Sequence, residues 1–177
     1  MDHAVLDAAS AHDLTREVFE VYAHVFGADG GFEDWRQSPW GRHRSRPDFR
    51  LATVRDGDRL VGFGWGYTGH RGEYWPDLVA EALPGLDAWV GGHFELVELA
   101  VLPEWRGRGA GRRLHDLLLE GLPHDRALLS TAADPEDPAV RLYRSRGWRC
   151  LGLLGLDRQV MGLRLDRGRA TGRRRTR

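Results

Sequence analysis

Arg106-Gly107-Arg108-Gly109-Ala110-Gly111-Arg112 sets glycines among arginines between an apolar run, Phe94 to Leu102, and a run of helical spacing, Arg113 to Leu122. Glycine lets the backbone take positive φ and approach a ligand closely, and the first N–H groups of a helix have no partner inside it. With the positive end of a helix dipole and the interleaved arginines, such donors suit a diphosphate. Spacing narrows the choice. A dinucleotide fingerprint, Gly-x-Gly-x-x-Gly counted from Gly107 and Gly109, meets Arg112 where its third glycine belongs. An ATP-type loop needs a lysine, and all 26 basic residues here are arginine. The plainer alternative is a turn that joins strand to helix with its arginines solvated, but that needs no glycine at every second position.

Read at length, Leu99-Ala100-Val101-x-Pro103-x-x-Arg106-Gly107-x-Gly109-x-Gly111 resembles the acetyl-CoA signature of the GNAT superfamily of N-acetyltransferases. Leu142-Tyr143-x-x-x-Gly147-Trp148 is similar to the Leu-Tyr-x-x-x-Gly-Phe segment of that family. The resemblance covers about a third of the chain. It implies a single α/β domain, with a mostly antiparallel mixed sheet flanked by helices and a splayed strand pair forming an acetyl-CoA cleft. It also implies roles. Backbone N–H groups at Leu99, Ala100 and Val101 would polarise the thioester and pair with the pantetheine amides as an added strand does. Arg106, Gly107, Arg108, Gly109, Ala110, Gly111 and Arg112 would hold the coenzyme. The family's active-site polar residues stand two or four positions before the leucine, here Val97 and Glu95, which makes Glu95 the candidate base. Tyr143 would protonate the coenzyme sulfur. The family often has asparagine seven residues before this tyrosine; Glu136 stands there, so that contact is not carried over.

Elementary chemistry asks for the same groups. A primary amine with a pKa near ~10 carries little free lone pair at neutral pH, and a positioned base contributes on the order of 10²- to 10⁴-fold. Glu98, three residues after Glu95, faces the opposite side of a strand unless a bulge intervenes, and is read as a surface carboxylate. The plain alternatives are an ion-paired Glu95 and a core Tyr143. For the acceptor, Trp65, Tyr67 and Trp75 are the candidate residues. With Tyr74, Trp89, Glu73 and Asp77 they would make an aromatic, acidic pocket for a cationic amine, or equally a core and a lid. A small-molecule amine is expected in preference to a protein. The competing function is a non-catalytic acyl-CoA-binding or sensing module.

These residues need elements to hold them. His3 to Asp7 reads as a short strand, and Asp13 as the cap of a helix carrying Leu14, Val18, Tyr22, Val25 and Phe26, stopped by Gly27. Phe49 to Arg55 and Leu60 to Thr68 read as a hairpin turning at Asp56-Gly57. An aromatic insert, 69–92, holds a helix from Asp77 to Leu83. Arg126 to Thr131 reads as a central strand, Asp137-Pro138 as a helix start, and Trp148 to Leu154 with Gln159 to Leu165 as a last hairpin.

At 177 residues with formal net charge zero, the chain suits one domain, expected over 1–166, with no partner selected by global charge. Residues 167–177 are arginine-rich and glycine-broken and read as a disordered tail, a weak basis for nucleic-acid binding. The lone Cys150 permits no internal disulfide, and the histidines show no metal-ligand spacing. With no readable secretory signal or membrane-spanning run, a soluble cytoplasmic protein is expected. Edge strands or exposed tryptophans leave a homodimer open.

Overall fold

Gly62, Gly64 and Gly66 alternate with Phe63, Trp65 and Tyr67, so the pleat gives one strand a bare face and an aromatic face. The computed structural model describes residues 1–165 and shows the use of both faces. The first half runs β1 (Asp2–Leu6), α1 (Thr15–Phe26), α2 (Gly31–Trp35), α3 (Gly41–Arg44), β2 (Arg50–Asp56) and β3 (Arg59–Gly69). The second runs α4 (Tyr74–Ala82), β4 (His93–Val101), α5 (Ala110–Leu119), β5 (Arg126–Ala132), α6 (Pro138–Ser145), β6 (Arg149–Leu154) and β7 (Arg158–Arg164). The segment expected as a tail, 167–177, lies outside the described residues.

The glycine face of β3 receives α5. A Cβ at Gly64 would stand 2.9 Å from Leu118 Cδ1 and 3.1 Å from the Glu98 carbonyl oxygen, so helix and strand meet at backbone distance. The aromatic face builds the core on the other side. Phe63 and Trp65 stack with ring centroids 5.1 Å apart, and Trp35 and Trp40 stack at 5.2 Å. All seven tryptophans are buried or half-buried, which corrects the expectation that exposed ones are free to form a dimer surface.

Seven strands form one sheet in the order β1-β2-β3-β4-β5-β7-β6. All its pairings are antiparallel except β4 with β5. That parallel pair is brief: Phe94 faces Ala127 and Glu95 faces Leu128, and beyond them the strands part. The chain is thus a single α/β domain with a mixed sheet flanked by helices.

Three local readings shift. Asp13 does not cap α1, because a 3-10 turn, Ser10–Leu14, leads directly into the helix and the Thr15 N–H donates to the His12 carbonyl. Asp7 caps that turn instead, its Oδ1 accepting the Ser10 N–H at 2.8 Å. The β2–β3 loop is Gly57-Asp58, one residue later than expected, because positive φ falls on Gly57. The insert helix α4 starts at Tyr74, and its Val79 joins Val90, Leu128 and Val160 in a second small core. Asp137 caps α6 as expected, its Oδ1 accepting the Ala139 N–H at 2.8 Å. Among the described residues no helix is long and apolar enough to cross a membrane.

Candidate active site

A bulge on β4 sets the site. Tyr67 faces Glu95, Gly66 faces Leu96 and Trp65 faces Glu98, so Val97 is an extra residue opposite none. Directly paired residues share a face of the sheet, and Trp65 and Tyr67 are two apart, so Glu95 and Glu98 point to the same side. This corrects the reading of Glu98 as an unrelated surface carboxylate. Burial pushes both glutamates up to about 7, with Arg158 opposing the rise at Glu98. Past Glu95 the other edge of β4 has no strand beside it; alternation turns the backbone groups of Leu99 and Val101 to that edge, where Arg106 takes the Val101 carbonyl, while Ala100 pairs with Phe63 of β3. Ala100 and Val101 bury their side chains, and Leu99 packs partly buried against the same core.

Glu95 is 6 % exposed. Its Oε1 accepts the Tyr67 hydroxyl at 3.3 Å, while Oε2 is buried with no hydrogen-bond partner among the described residues. The nearest cation-forming group is His93 Nε2, 3.9 Å away and beyond hydrogen-bond range. His93 Nδ1 accepts the Gly91 N–H at 3.1 Å, so the ring carries its proton on Nε2, facing the carboxylate. Burial, aided by Arg126, holds His93 down to about 3, and it stays neutral. Burial dominates the upward shift of Glu95; the Tyr67 hydrogen bond opposes it and Glu73 adds to it. Gly69 makes the room: a Cβ there would lie 2.7 Å from His93 Nε2 and 2.9 Å from Glu95 Oε2.

The loop at the other end of β4 is open and uncapped. Gly107 and Gly109 have φ of +71° and +85°, and a Cβ on either would meet nothing within 4 Å. Gly109 is the N-cap of α5 and no side chain caps the helix, so the first N–H groups, at Ala110, Gly111 and Arg112, lack a capping acceptor. Arg106 turns back, its Nε donating to the Val101 carbonyl at 3.0 Å, and Arg108 lies over the Trp105 ring at 4.8 Å. These two arginines brace the loop, while Arg112 is exposed at the start of the helix. An outward-facing backbone nest continuous with an unpaired strand edge fits a diphosphate followed by an amide-bearing arm.

Tyr143 on α6 is 6 % exposed and packs against Trp148 at 5.8 Å between ring centroids. Trp148 Nε1 donates to His115 Nε2 at 2.8 Å, so His115 uses Nδ1 to donate to Asp116 Oδ1 at 2.9 Å. Burial, with Glu98 and Asp137 nearby, drives the Tyr143 phenol well above its ordinary range and keeps it protonated. Glu136, at the position the family often gives to asparagine, pairs instead with Arg141 at 3.4 Å.

A cavity of about 650 Å³ opens beside Glu95 and Val97. Tyr67, Glu73, Tyr74 and Trp75 line it. Trp65 does not: it is fully buried, and its Nε1 donates to His43 Nδ1 at 3.2 Å, so it backs the wall and holds His43 in place. Trp89 lies elsewhere, under the Arg164 guanidinium at 4.2 Å, and Asp77 Oδ1 accepts the Gly72 N–H at 3.0 Å. The cavity is not acidic in balance. Arg42 and Arg46 line it as well, and Arg46 forms an ion pair with Glu73.

Residues 10–148 match the model of the acetyltransferase (GNAT) family. The chain belongs to the GNAT family. A GCN5-like protein acetyltransferase of Mycobacterium tuberculosis is 35 % identical over 98 residues, 50 % of this chain and 48 % of that relative. The match therefore spans about half the relative's length. A solved structure of mosquito arylalkylamine N-acetyltransferase like 5b superposes with a TM-score of 0.69 at 14 % identity, covering 93 % of this chain and 100 % of that one. Aminoglycoside 6'-acetyltransferase type Ii does so with a TM-score of 0.65 at 18 % identity, covering 95 % and 100 %. At such identities the likeness is one of fold. GNAT enzymes typically use acetyl-CoA.

In this GNAT domain, sequence reasoning missed the shared face of Glu98 and the arginines of the cavity. The first had a faint signal, since Leu96-Val97 breaks the apolar-polar alternation where the bulge falls. Arg42 and Arg46 had only their four-residue spacing, in a stretch with no motif.

Proposed function

We propose that this GNAT domain moves the acetyl group of acetyl-CoA to the nitrogen of a small-molecule amine, with Glu95 as base and Tyr143 as acid. The observation that carries the reading is Glu95 itself, a buried carboxylate poised near neutrality where the cavity meets the parted strands. Acetyl-CoA supplies the acyl group as a thioester. Glu95 takes a proton from the acceptor ammonium, and the freed nitrogen bonds to the acetyl carbon. Backbone N–H groups on the open edge of β4 meet the charge that develops on the carbonyl oxygen. As the carbon–sulfur bond breaks, Tyr143 gives its proton to the sulfur. Two protons leave the nitrogen in all: one passes through Glu95 to solvent, and the other replaces the one Tyr143 gave.

The test is acetyl-CoA turnover, read as thiol release, over a panel of amines. Tyr143→Phe is expected to lower kcat by on the order of 10²-fold, with the Kd for acetyl-CoA unchanged. Tight coenzyme binding with no thiol release for any amine would instead identify a binding or sensing module. Gly69→Ala gives a second check. No unusual φ is needed there, and the added methyl presses on the buried His93 ring and on the Glu95 carboxylate together. Misplacement by ~1 Å is expected to cost up to about 10² in kcat. Full activity in that variant, with the Glu95 carboxylate seen displaced, would argue against Glu95 as the base.

A further inference from the structure

We infer that the acceptor is an amine that also bears a carboxylate, its anionic end held at Arg42 and Arg46 while its nitrogen faces Glu95. The inference rests on the acetyl-transfer reading of the same cavity.

One wall of the cavity is rich in donors, with the Ser45 hydroxyl, which donates to the Arg42 carbonyl at 2.9 Å, as its side-chain acceptor. Arg42, His43 and Arg46 come from α3 and the turn after it, which the Arg46 N–H prolongs by donating to the His43 carbonyl at 3.0 Å. A guanidinium has no acceptor. His43 spends Nδ1 on the Trp65 indole, which leaves Nε2 as its N–H. Burial, with Arg46 and Arg42 beside it, holds His43 down to about 4, so the ring is a neutral donor. Such a wall suits an anion and rejects an ammonium.

Charge decides which anion. Arg46 is already compensated by Glu73, whereas Arg42 makes no ion pair among the described residues. One positive charge is left, which matches a carboxylate better than a phosphate dianion. Glu95 and Val97 belong to a different element of the lining, β4. An acceptor with opposite ends therefore finds a complementary group for each. Tyr67, its ring under the Arg46 guanidinium at 5.2 Å, and the half-buried Trp75 add aromatic surface to the lining for an apolar body.

The experiment compares acceptors that differ in one group: phenylalanine, phenylalaninamide and phenethylamine, with matching sets built on tryptophan and leucine. Thiol release gives kcat/KM for each. The carboxylate-bearing member is expected to exceed its amide by at least about tenfold. Arg42→Gln should bring that ratio to within about threefold of unity, and Arg42→Glu should invert it. Arg42 is exposed, so neither change threatens the fold. Equal efficiency across each set, a preference for the uncharged members, or a ratio indifferent to Arg42 overturns the inference and leaves acetyl transfer standing. Failure of every amine to release thiol overturns acetyl transfer, and the inference falls with it.

Discussion

Glu95→Gln is expected to lower kcat/KM at pH 7.5 by on the order of 10²- to 10⁴-fold while making the protein more stable at that pH. The two effects share one cause. Burial raises the Glu95 carboxyl from its ordinary 4.5 to about 7 in the folded state. Between those values the folded protein holds a proton that the unfolded chain has released. Stability therefore falls as pH rises from 4.5 to 7, and the full penalty is present above 7. Glutamine carries no charge to desolvate. The variant should gain on the order of 1–3 kcal/mol above pH 7, seen as a Tm higher by roughly 5 °C, and nothing below pH 4.5. Glu98 titrates in the same direction, so the decisive quantity is the difference between variant and wild type across pH. In the wild type, kcat/KM should climb through a midpoint near 7, and that limb should vanish in the variant. A variant that keeps both its activity and its pH profile would remove Glu95 from the chemistry.

Gly109→Val should raise the Kd for acetyl-CoA by about 10²-fold, or roughly 2.7 kcal/mol. At φ +85° and ψ −3° a β-branched residue is strained, and its side chain projects into the open space that the uncapped α5 donors face. Losing close approach at one or two charge-assisted hydrogen bonds accounts for that loss, each worth about 1.5–3 kcal/mol. Gly57→Val is the control, with φ +56° and equally open surroundings at the tip of the β2–β3 hairpin. It should lose similar stability and bind coenzyme as the wild type does. Equal weakening in both variants would mean that general destabilisation, and not the loop, governs affinity.

The loop and the elements around it were legible because their causes are local. Positive φ at Gly107 and Gly109 and the Asp137 cap each depend on a few consecutive residues, and so does the alternation of Gly62 to Tyr67. The succession of elements along the chain followed from those pieces and the resemblance. Misreadings came where a competing local turn or a neighbour in space overrode the simplest pattern. Asp13 looked like a cap until a 3-10 turn placed the His12 carbonyl against Thr15, and Trp65 looked like a pocket aromatic until four other rings closed over it.

What the amino-acid sequence by itself determined is a backbone: a strand, a glycine-rich turn and a helix, written in the conformational preferences of glycine and proline. What only the tertiary structure decided is the chemistry at the head of that strand. A residue skipped at Val97 turned Glu98 to the side of Glu95, and burial set the proton affinity of both. Arg42 and Arg46, far from β4 in the chain, offset the acidic charge expected of the cavity. Desolvation and Coulomb interaction act through space and depend on what surrounds a group, so no spacing along the chain encodes them.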